Sequence, residues 1–501
     1  MVSEEKAIEK RAEKIKKWFS NPLNLILIGI LIFALGIRIY YWTHTAGQTL
    51  WWDEAEYMST AKKWAFGVPY DLNPQRPPLF QAISALAFMI GLGEQFIKFA
   101  FVLLPSLLLV FSVYLLGREM YNQKIGLIAA FLASVSWTFL FWTSRVQPDF
   151  FSMSFQVLSV LFMWKYWKNE KVGKFAVYAG VFAALGFYFK VSGLLVPLII
   201  AVFGLLKDRL SAFKIKGYYY FAVAFIVSLI PYFIWSYVEF GTLTAFREGY
   251  SNAVGSVLPF GWYTFNFFYT LSDVCTFILF LIGLVLSLKF LLYLDVLARD
   301  KNRVFDGDIF GVITLVIVSA FYIFYIRGAE DRWVYLWLPF IFFFVGRSLE
   351  IVGKSADKLL KNAGIVLIII LLLVSGYLQV SYSNQLIDSK FSSYSPVKDA
   401  GIWVKENSLE GDRLLSISYT QSTYYSERNV SSYSSFKNGS EFDNYLEQNR
   451  PKLIQVSIFE PHPEWIYTWT QINQNRLKPF YVSYGDAQKK QPNLVVYEIA
   501  Y

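Results

Sequence analysis

The chain has 501 residues, 55% of them hydrophobic and 19% aromatic, and only 17% are charged. A soluble globular protein carries roughly a quarter of charged residues, so an ordinary soluble domain is excluded and a membrane is indicated. The formal net charge of +9 does not point to nucleic acid, because the Lys and Arg residues fall in short clusters between apolar segments, the pattern of the positive-inside rule.

Residues 1–20 alternate Glu with Lys and Arg around Ile8, Ile15, Trp18 and Phe19, which predicts a basic amphipathic helix on the cytosolic surface. Asn21-Pro22 ends it. Leu23 to Thr43 is apolar over the roughly 20 residues that a span needs, and the lysines before it start it in the cytosol. No small-residue cleavage signature follows, so it is expected to stay as an anchor, with membrane lipids as its surroundings.

The stretch Trp51-Trp52-Asp53-Glu54-Ala55-Glu56-Tyr57 then falls on the far side of the bilayer, with Gln75-Arg76-Pro77-Pro78-Leu79 after it. A carboxylate next to aromatic side chains at that level either loses its charge or is kept ionised by a cation, and such an acid suits a transfer reaction as its base. Asp53 and Glu54 point about 100° apart once a helix has begun, so the two do not serve the same substrate atom. Asp53, read as preceding the helix, is assigned the chemistry, and Glu54 the helix cap.

Apolar length predicts further spans at 96–116, 124–143, 150–168, 173–189, 191–206, 217–238, 268–293, 309–326, 333–349 and 364–383, about eleven in all. Pro77 to Gly93 is only marginally long. If it does not cross, Arg118 and Lys124, the lysines from 165 to 174, Lys207 to Lys216, Arg299 to Arg303 and Arg347 to Lys361 all become cytosolic. Glu54 to Phe66 and Pro78 to Gly91 are therefore expected as two helices along the outer interface, hinged at the Pro-rich turn.

From about Asn384 the chain turns polar and rich in Ser, Asn and Tyr. Helical runs (Val397 to Asn407, Glu441 to Asn449) and strand-like runs (Arg413 to Ser418, Leu453 to Phe459, Pro479 to Tyr484, Leu494 to Ile499) predict a small α/β domain. An odd number of spans puts it outside, beside the Asp53 loop, where two N-x-S/T triplets, at Asn429 and Asn438, also fit. The expected organisation is a cytosolic N-terminus over 1–22, a polytopic α-helical domain over 23–383 and an extracytosolic α/β domain over 384–501.

The charged residues at the outer ends of spans are Asp53, Glu54, Glu56, Arg76, Arg145, Asp149, Lys190, Arg247, Glu330, Asp331 and Arg332. Lys190 stands between two apolar runs with almost no polar loop; it either snorkels to the interface or meets an anion such as a phosphate. Arg145 and Asp149, four residues apart, either bridge one helical turn or join a site. The single Cys275 excludes internal disulfides and a Cys-based metal site, and His44 and His462 alone do not argue for a metal. No cofactor is indicated, and a divalent metal stays open.

The runs WWDEAEY, GVPYDLNPQRPPLF, SRVQPDFF, GFYFKVSG and RWVYLWLPF, in this order and spacing, resemble the GT-C membrane glycosyltransferases, and among them the protein O-mannosyltransferases and the lipid A aminoarabinose transferases. The resemblance covers about residues 20–350. It implies a polyprenyl-phosphate-linked sugar as donor, a protein, lipid or glycan as acceptor, and a site on the non-cytosolic face of a membrane, in a prokaryote its plasma membrane. It implies Asp53 as the catalytic acid, Arg76 and Lys190 on the donor phosphate and Asp149 in the second outer loop. Tyr57, Arg145 and Arg332 join them as candidate substrate residues. Relatives often carry a basic residue where this chain has Gln147, and Lys where it has Arg76. A phosphate at the membrane surface can leave against cations. An opposing carboxylate can take the acceptor's proton, giving inversion without the covalent sugar intermediate of retaining hydrolysis. A transporter or flippase would instead place ionisable groups near mid-bilayer and show paired repeats, and no repeat is evident here.

Overall fold

A computed structural model describes residues 13, 16–169, 172–247, 272–288, 303–326, 330–485, 488 and 490–501. Most of the expected N-terminal amphipathic helix lies outside these residues, as do both ends of the expected 268–293 span and the basic positions Lys171, Arg299 and Lys301.

The first helix, α1 (Pro22–His44), starts where Asn21 caps it by accepting from the Leu23 N–H at 3.0 Å, with Pro22 in the first turn. Two short helices follow, α2 (Trp52–Phe66) and α3 (Leu79–Met89). At about 1.5 Å per residue α3 extends about 16 Å, roughly half the hydrocarbon thickness, so it does not cross. It packs on α2 instead, through Tyr57 edge-on to Phe80 at 5.5 Å.

The bundle continues with α4 (Glu94–Met120), α5 (Gln123–Val135), α6 (Trp137–Thr143), α7 (Asp149–Lys168), α8 (Lys174–Phe189), α9 (Val191–Lys214), α10 (Lys216–Phe240), α11 (Val274–Ser287), α12 (Phe305–Ile326), α13 (Tyr335–Leu359) and α14 (Ala363–Lys390). Every expected span falls on one of these helices or on a bent pair. Among the described residues 7 helices are long and apolar enough to cross a membrane, or 8 if α5 and α6, bent by 51°, count as one span. The chain is an integral membrane protein.

Helix α13 is the centre of the bundle, with 78% of its apolar window buried, whereas α1, α10 and α14 bury only 22% and face outward. The α5–α6 bend has a visible cause on α1. Fully buried Arg38 donates to Ala133 O at 3.3 Å and Ser134 O at 3.1 Å, carbonyls at the end of α5, and to Ser106 Oγ at 2.9 Å. A cation at a helix C-terminus takes up carbonyls that a break leaves without intrahelical partners.

The C-terminal domain has a five-stranded sheet in the order β2-β1-β3-β5-β4. Its strands are β1 (Arg413–Ser416), β2 (Asn429–Ser431), β3 (Leu453–Ser457), β4 (Leu477–Tyr484) and β5 (Pro492–Ile499). The first three run parallel, and β5 and β4 are antiparallel additions. Strand β3, buried at all five positions, is its centre. The expected helices form as α15 (Ser395–Asn407) and, further on, Gly439–Asn449, while α16 (Tyr419–Ser426), Trp465–Ile472 and β2 were not expected.

Helix α16 fastens this domain onto α2. The Leu50 N–H donates to Tyr425 Oη at 2.9 Å, Ser59 Oγ to Thr420 O at 3.2 Å, and Lys62 Nζ to Tyr424 O at 2.8 Å and to Glu427 at 2.7 Å. The ends of α1 and α14 are also tied, by Tyr41 Oη to Asn384 at 2.5 Å and His44 to Asp388 at 2.8 Å. The domain and the acidic helix α2 therefore lie at the same end of the bundle.

Candidate active site

The C-terminal end of α8, the N-terminal ends of α2 and α7 and the approach to α13 surround a cavity of about 400 Å³. Its walls include Asp53, Arg76, Asp149, Lys190, Glu330 and Arg332, with Trp51, Trp52, Trp142 and Trp333 between them. Helix α2 starts at Trp52, so Asp53 lies in its first turn and not ahead of it as expected. The carboxylate of Glu54 turns back to accept the Trp51 N–H at 2.8 Å, which caps the helix and leaves Asp53 pointing inward.

Both oxygens of Asp53 are engaged. Oδ1 accepts from Arg76 Nη2 at 2.7 Å and Oδ2 from Arg332 Nη2 at 2.5 Å. Burial alone would raise this carboxyl, but the two guanidiniums, helped by Lys190, hold it well below the usual carboxylate range. Arg76 also donates to Glu56 Oε2 at 2.6 Å and to Tyr57 Oη at 3.2 Å. Burial pushes the Tyr57 phenol up, so its proton stays on at neutral pH. Arg332 donates through Nε to Glu330 at 2.6 Å and lies 4.7 Å from the centre of the Trp142 ring.

Lys190 is the residue just past α8, in extended backbone, and its ammonium turns inward to pair with Asp149. It does not snorkel away. An ammonium has three N–H donors and Asp149 takes one, while Arg332 Nη1 makes no hydrogen bond within the described residues, so these two cavity-lining side chains keep unused donors.

Three comparisons bear on this arrangement. The family of dolichyl-phosphate-mannose-protein mannosyltransferases matches residues 75–235, the stretch that carries Arg76, Asp149 and Lys190. No curated protein matches the chain. Among solved structures, the apo oligosaccharyltransferase of Archaeoglobus fulgidus superposes with a TM-score of 0.63 at 14% identity, over 88% of this chain and 70% of that one. ArnT from Cupriavidus metallidurans, bound to undecaprenyl phosphate, gives 0.62 at 14%, over 94% and 98%. The mycobacterial arabinofuranosyltransferase AftD gives 0.61 at 12%, over 94% and 40%. The fold is that of the GT-C membrane glycosyltransferases.

Within this GT-C fold Asp53, Arg76, Tyr57, Asp149, Lys190 and Arg332 converge on one cavity, and two of the expected site residues do not. Arg145 makes no turn-spanning bridge to Asp149. Its Nε and Nη2 grip Glu54 at 2.6 and 2.7 Å, its Nη2 also holds Thr49 O at 3.1 Å, and both charged side chains are 1% exposed. This buried pair stands behind the wall, with the Arg145 guanidinium 4.1 Å from the centre of the Trp51 ring. Asp331 faces α6, accepting from Thr138 Oγ1 at 2.5 Å and Trp142 Nε1 at 2.6 Å, and burial pushes its carboxyl up. Arg247 is exposed and lines no part of the cavity. Among the described residues no three His, Cys, Asp or Glu side chains group as metal ligands, and each acid of the cavity already has a protein partner. The GT-C cavity also holds Gln147 and the tryptophans Trp51, Trp52, Trp142 and Trp333, to which the sequence alone assigns no separate role.

Proposed function

We propose that this chain moves a sugar, a hexose such as mannose, from a polyprenyl-phosphate donor to a hydroxyl of a protein, lipid or glycan on the non-cytosolic face. The observation that carries it is the meeting of Arg76, Lys190 and Arg332 with Asp53 in one cavity at one end of the bundle. The three cations are matched by Asp53, Glu56, Asp149 and Glu330, but Lys190 and the Nη1 of Arg332 keep spare N–H donors that suit a phosphate. Support comes from the relatives: ArnT is bound to undecaprenyl phosphate, and the archaeal oligosaccharyltransferase AglB is in complex with dolichol-phosphate and an inhibitory peptide.

In the reaction the acceptor oxygen forms a bond to the anomeric carbon while that carbon's bond to the phosphate oxygen breaks. The bond electrons leave with the phosphate, where Arg76, Arg332 and Lys190 offset the growing charge. The acceptor's proton passes to Asp53 Oδ2 or Oδ1 as a guanidinium shifts toward the phosphate, and from there to water. Attack opposite the leaving phosphate inverts the anomeric centre.

The test is release of polyprenyl phosphate by the purified protein from polyprenyl-phosphate mannose, glucose and galactose, in the presence of host membrane extract as acceptor source. Sugar transfer that disappears in Asp53→Asn is expected. No release from any of the three by wild type overturns the proposal. The face is tested separately, by labelling a cysteine introduced at exposed Ser440 in a Cys275→Ser background: labelling only from the cytosolic side reverses the orientation.

A further inference from the structure

Gln147 stands in the wall of the cavity between Trp142 and Asp149 in the chain and is only 2% exposed. Its amide makes no hydrogen bond to any described residue, and its Oε1 is sealed from solvent without a partner. A buried amide normally has partners at both ends, since each unmet group carries a desolvation penalty. Every charged group of the cavity is paired with another; this amide is not.

We infer that Gln147 is a specificity residue that receives a hydroxyl of the donor sugar, so that the site takes a neutral, hydroxyl-bearing sugar and reads it apart from the phosphate. This rests on the donor reading proposed above. A primary amide offers two donors and an acceptor, and a hydroxyl is both donor and acceptor, so the match needs no charge. A phosphate belongs with Arg76, Arg332 and Lys190, and a polyprenyl chain has nothing to hydrogen-bond. Gln147, Asp149 and its partner Lys190 line the same cavity, so a sugar attached to a phosphate on Lys190 shares that cavity with the Gln147 amide. The wall around it is aromatic: Trp51 shares it, and the indole Nε1 of Trp51 is likewise buried without a partner. A site built to hydrogen-bond a hydroxyl rejects the analogue that lacks it far more strongly than an apolar pocket rejects a missing methylene.

The experiment compares binding of polyprenyl-phosphate mannose and of bare polyprenyl phosphate to the purified protein, with Gln147→Leu and the near-isosteric Gln147→Met. Wild type is expected to prefer the sugar-bearing lipid by about tenfold or more, a single hydrogen bond's worth. Both variants should lose that preference, keep the affinity for the bare lipid, and melt no lower than wild type, because the amide holds nothing in the empty protein. A panel of 2-, 3-, 4- and 6-deoxymannosyl donors should contain one that wild type binds no better than the variants do. A preference that survives in both variants overturns the subsite and leaves the donor reading standing, as does a loss confined to the acceptor's KM. Failure of wild type to bind either lipid overturns both together.

Discussion

Arg332 reaches across 279 residues of sequence to put its Nη2 on Asp53 Oδ2 at 2.5 Å. The contact keeps the carboxylate ionised and makes it a weak base while the guanidinium stays. Asp53 has a folded pKa below its unfolded value, so the stabilisation it contributes is present above the ordinary carboxylate range, about pH 4, and is lost as pH falls toward the depressed value. The acid limb of the pH–rate profile that Asp53 sets should therefore lie below pH 4 in wild type. Arg332→Gln removes one of the two cations, so this limb should move to higher pH while turnover drops. A profile measured by phosphate-lipid release that keeps its acid limb in Arg332→Gln would separate Arg332 from the base.

The two adjacent carboxylates should fail in different ways. In Asp53→Asn, Arg76 keeps Glu56 and Arg332 keeps Glu330, so insertion and melting temperature should hold while transfer is nearly abolished. Glu54→Gln removes half of a buried pair and leaves the Arg145 charge uncompensated, which costs about 3–5 kcal/mol. Its signature should be lost yield and a lower melting temperature. Full stability in Glu54→Gln together with dead catalysis would put the chemistry on Glu54.

This contrast also marks where the sequence stops informing. Apolar length located helices at the expected spans, and α3 is as short as the charge balance of the loops required, because both are local properties of the chain. The acids and cations at one end of the spans were equally legible, since charge in that setting is costly wherever it occurs. Their pairing was not. Arg145 lies four residues from Asp149, yet it chooses Glu54, 91 residues away, once α2 is laid across the bundle. Helix α16 escaped notice because YTQSTYYS has no apolar stripe; its burial comes from docking on α2, a tertiary event. Gln147 and Trp51 stand in the motifs the sequence offered, but they carry no charge there, and only their unmet polar atoms in the folded wall give them a role.

Arg38 offers a test of the bent span. Replacing it with Met keeps an unbranched apolar stem but strips the Ala133 and Ser134 carbonyls of their donor in a setting without water. An unmet buried acceptor costs about 1–3 kcal/mol, so the melting temperature should fall by several degrees. Helix α6, which begins just after the bend, carries Trp142 into the cavity wall. Trp142 supports Arg332, so activity should fall along with stability. An unchanged melting curve for Arg38→Met would mean that the Arg38 guanidinium does not hold the bend.

The pair of Lys190 and Asp149 poses the hardest separation, because a single substitution confounds two effects. Lys190→Met removes an ammonium that could meet the phosphate, and it also leaves Asp149, whose side chain is 3% exposed, as a buried acid without its cation. Loss of activity in that variant alone fits either account. The double variant Lys190→Met, Asp149→Asn removes both charges and so relieves the second effect while keeping the first. If Lys190 serves the phosphate, the single variant should lose about a hundredfold in turnover, the loss typical of one well-placed stabilising donor. The double variant should recover its melting temperature but not its rate, and its affinity for bare polyprenyl phosphate should stay weak. If the ammonium only neutralises Asp149, the double variant should regain both rate and lipid affinity, and the phosphate would then belong to Arg76 and Arg332 alone.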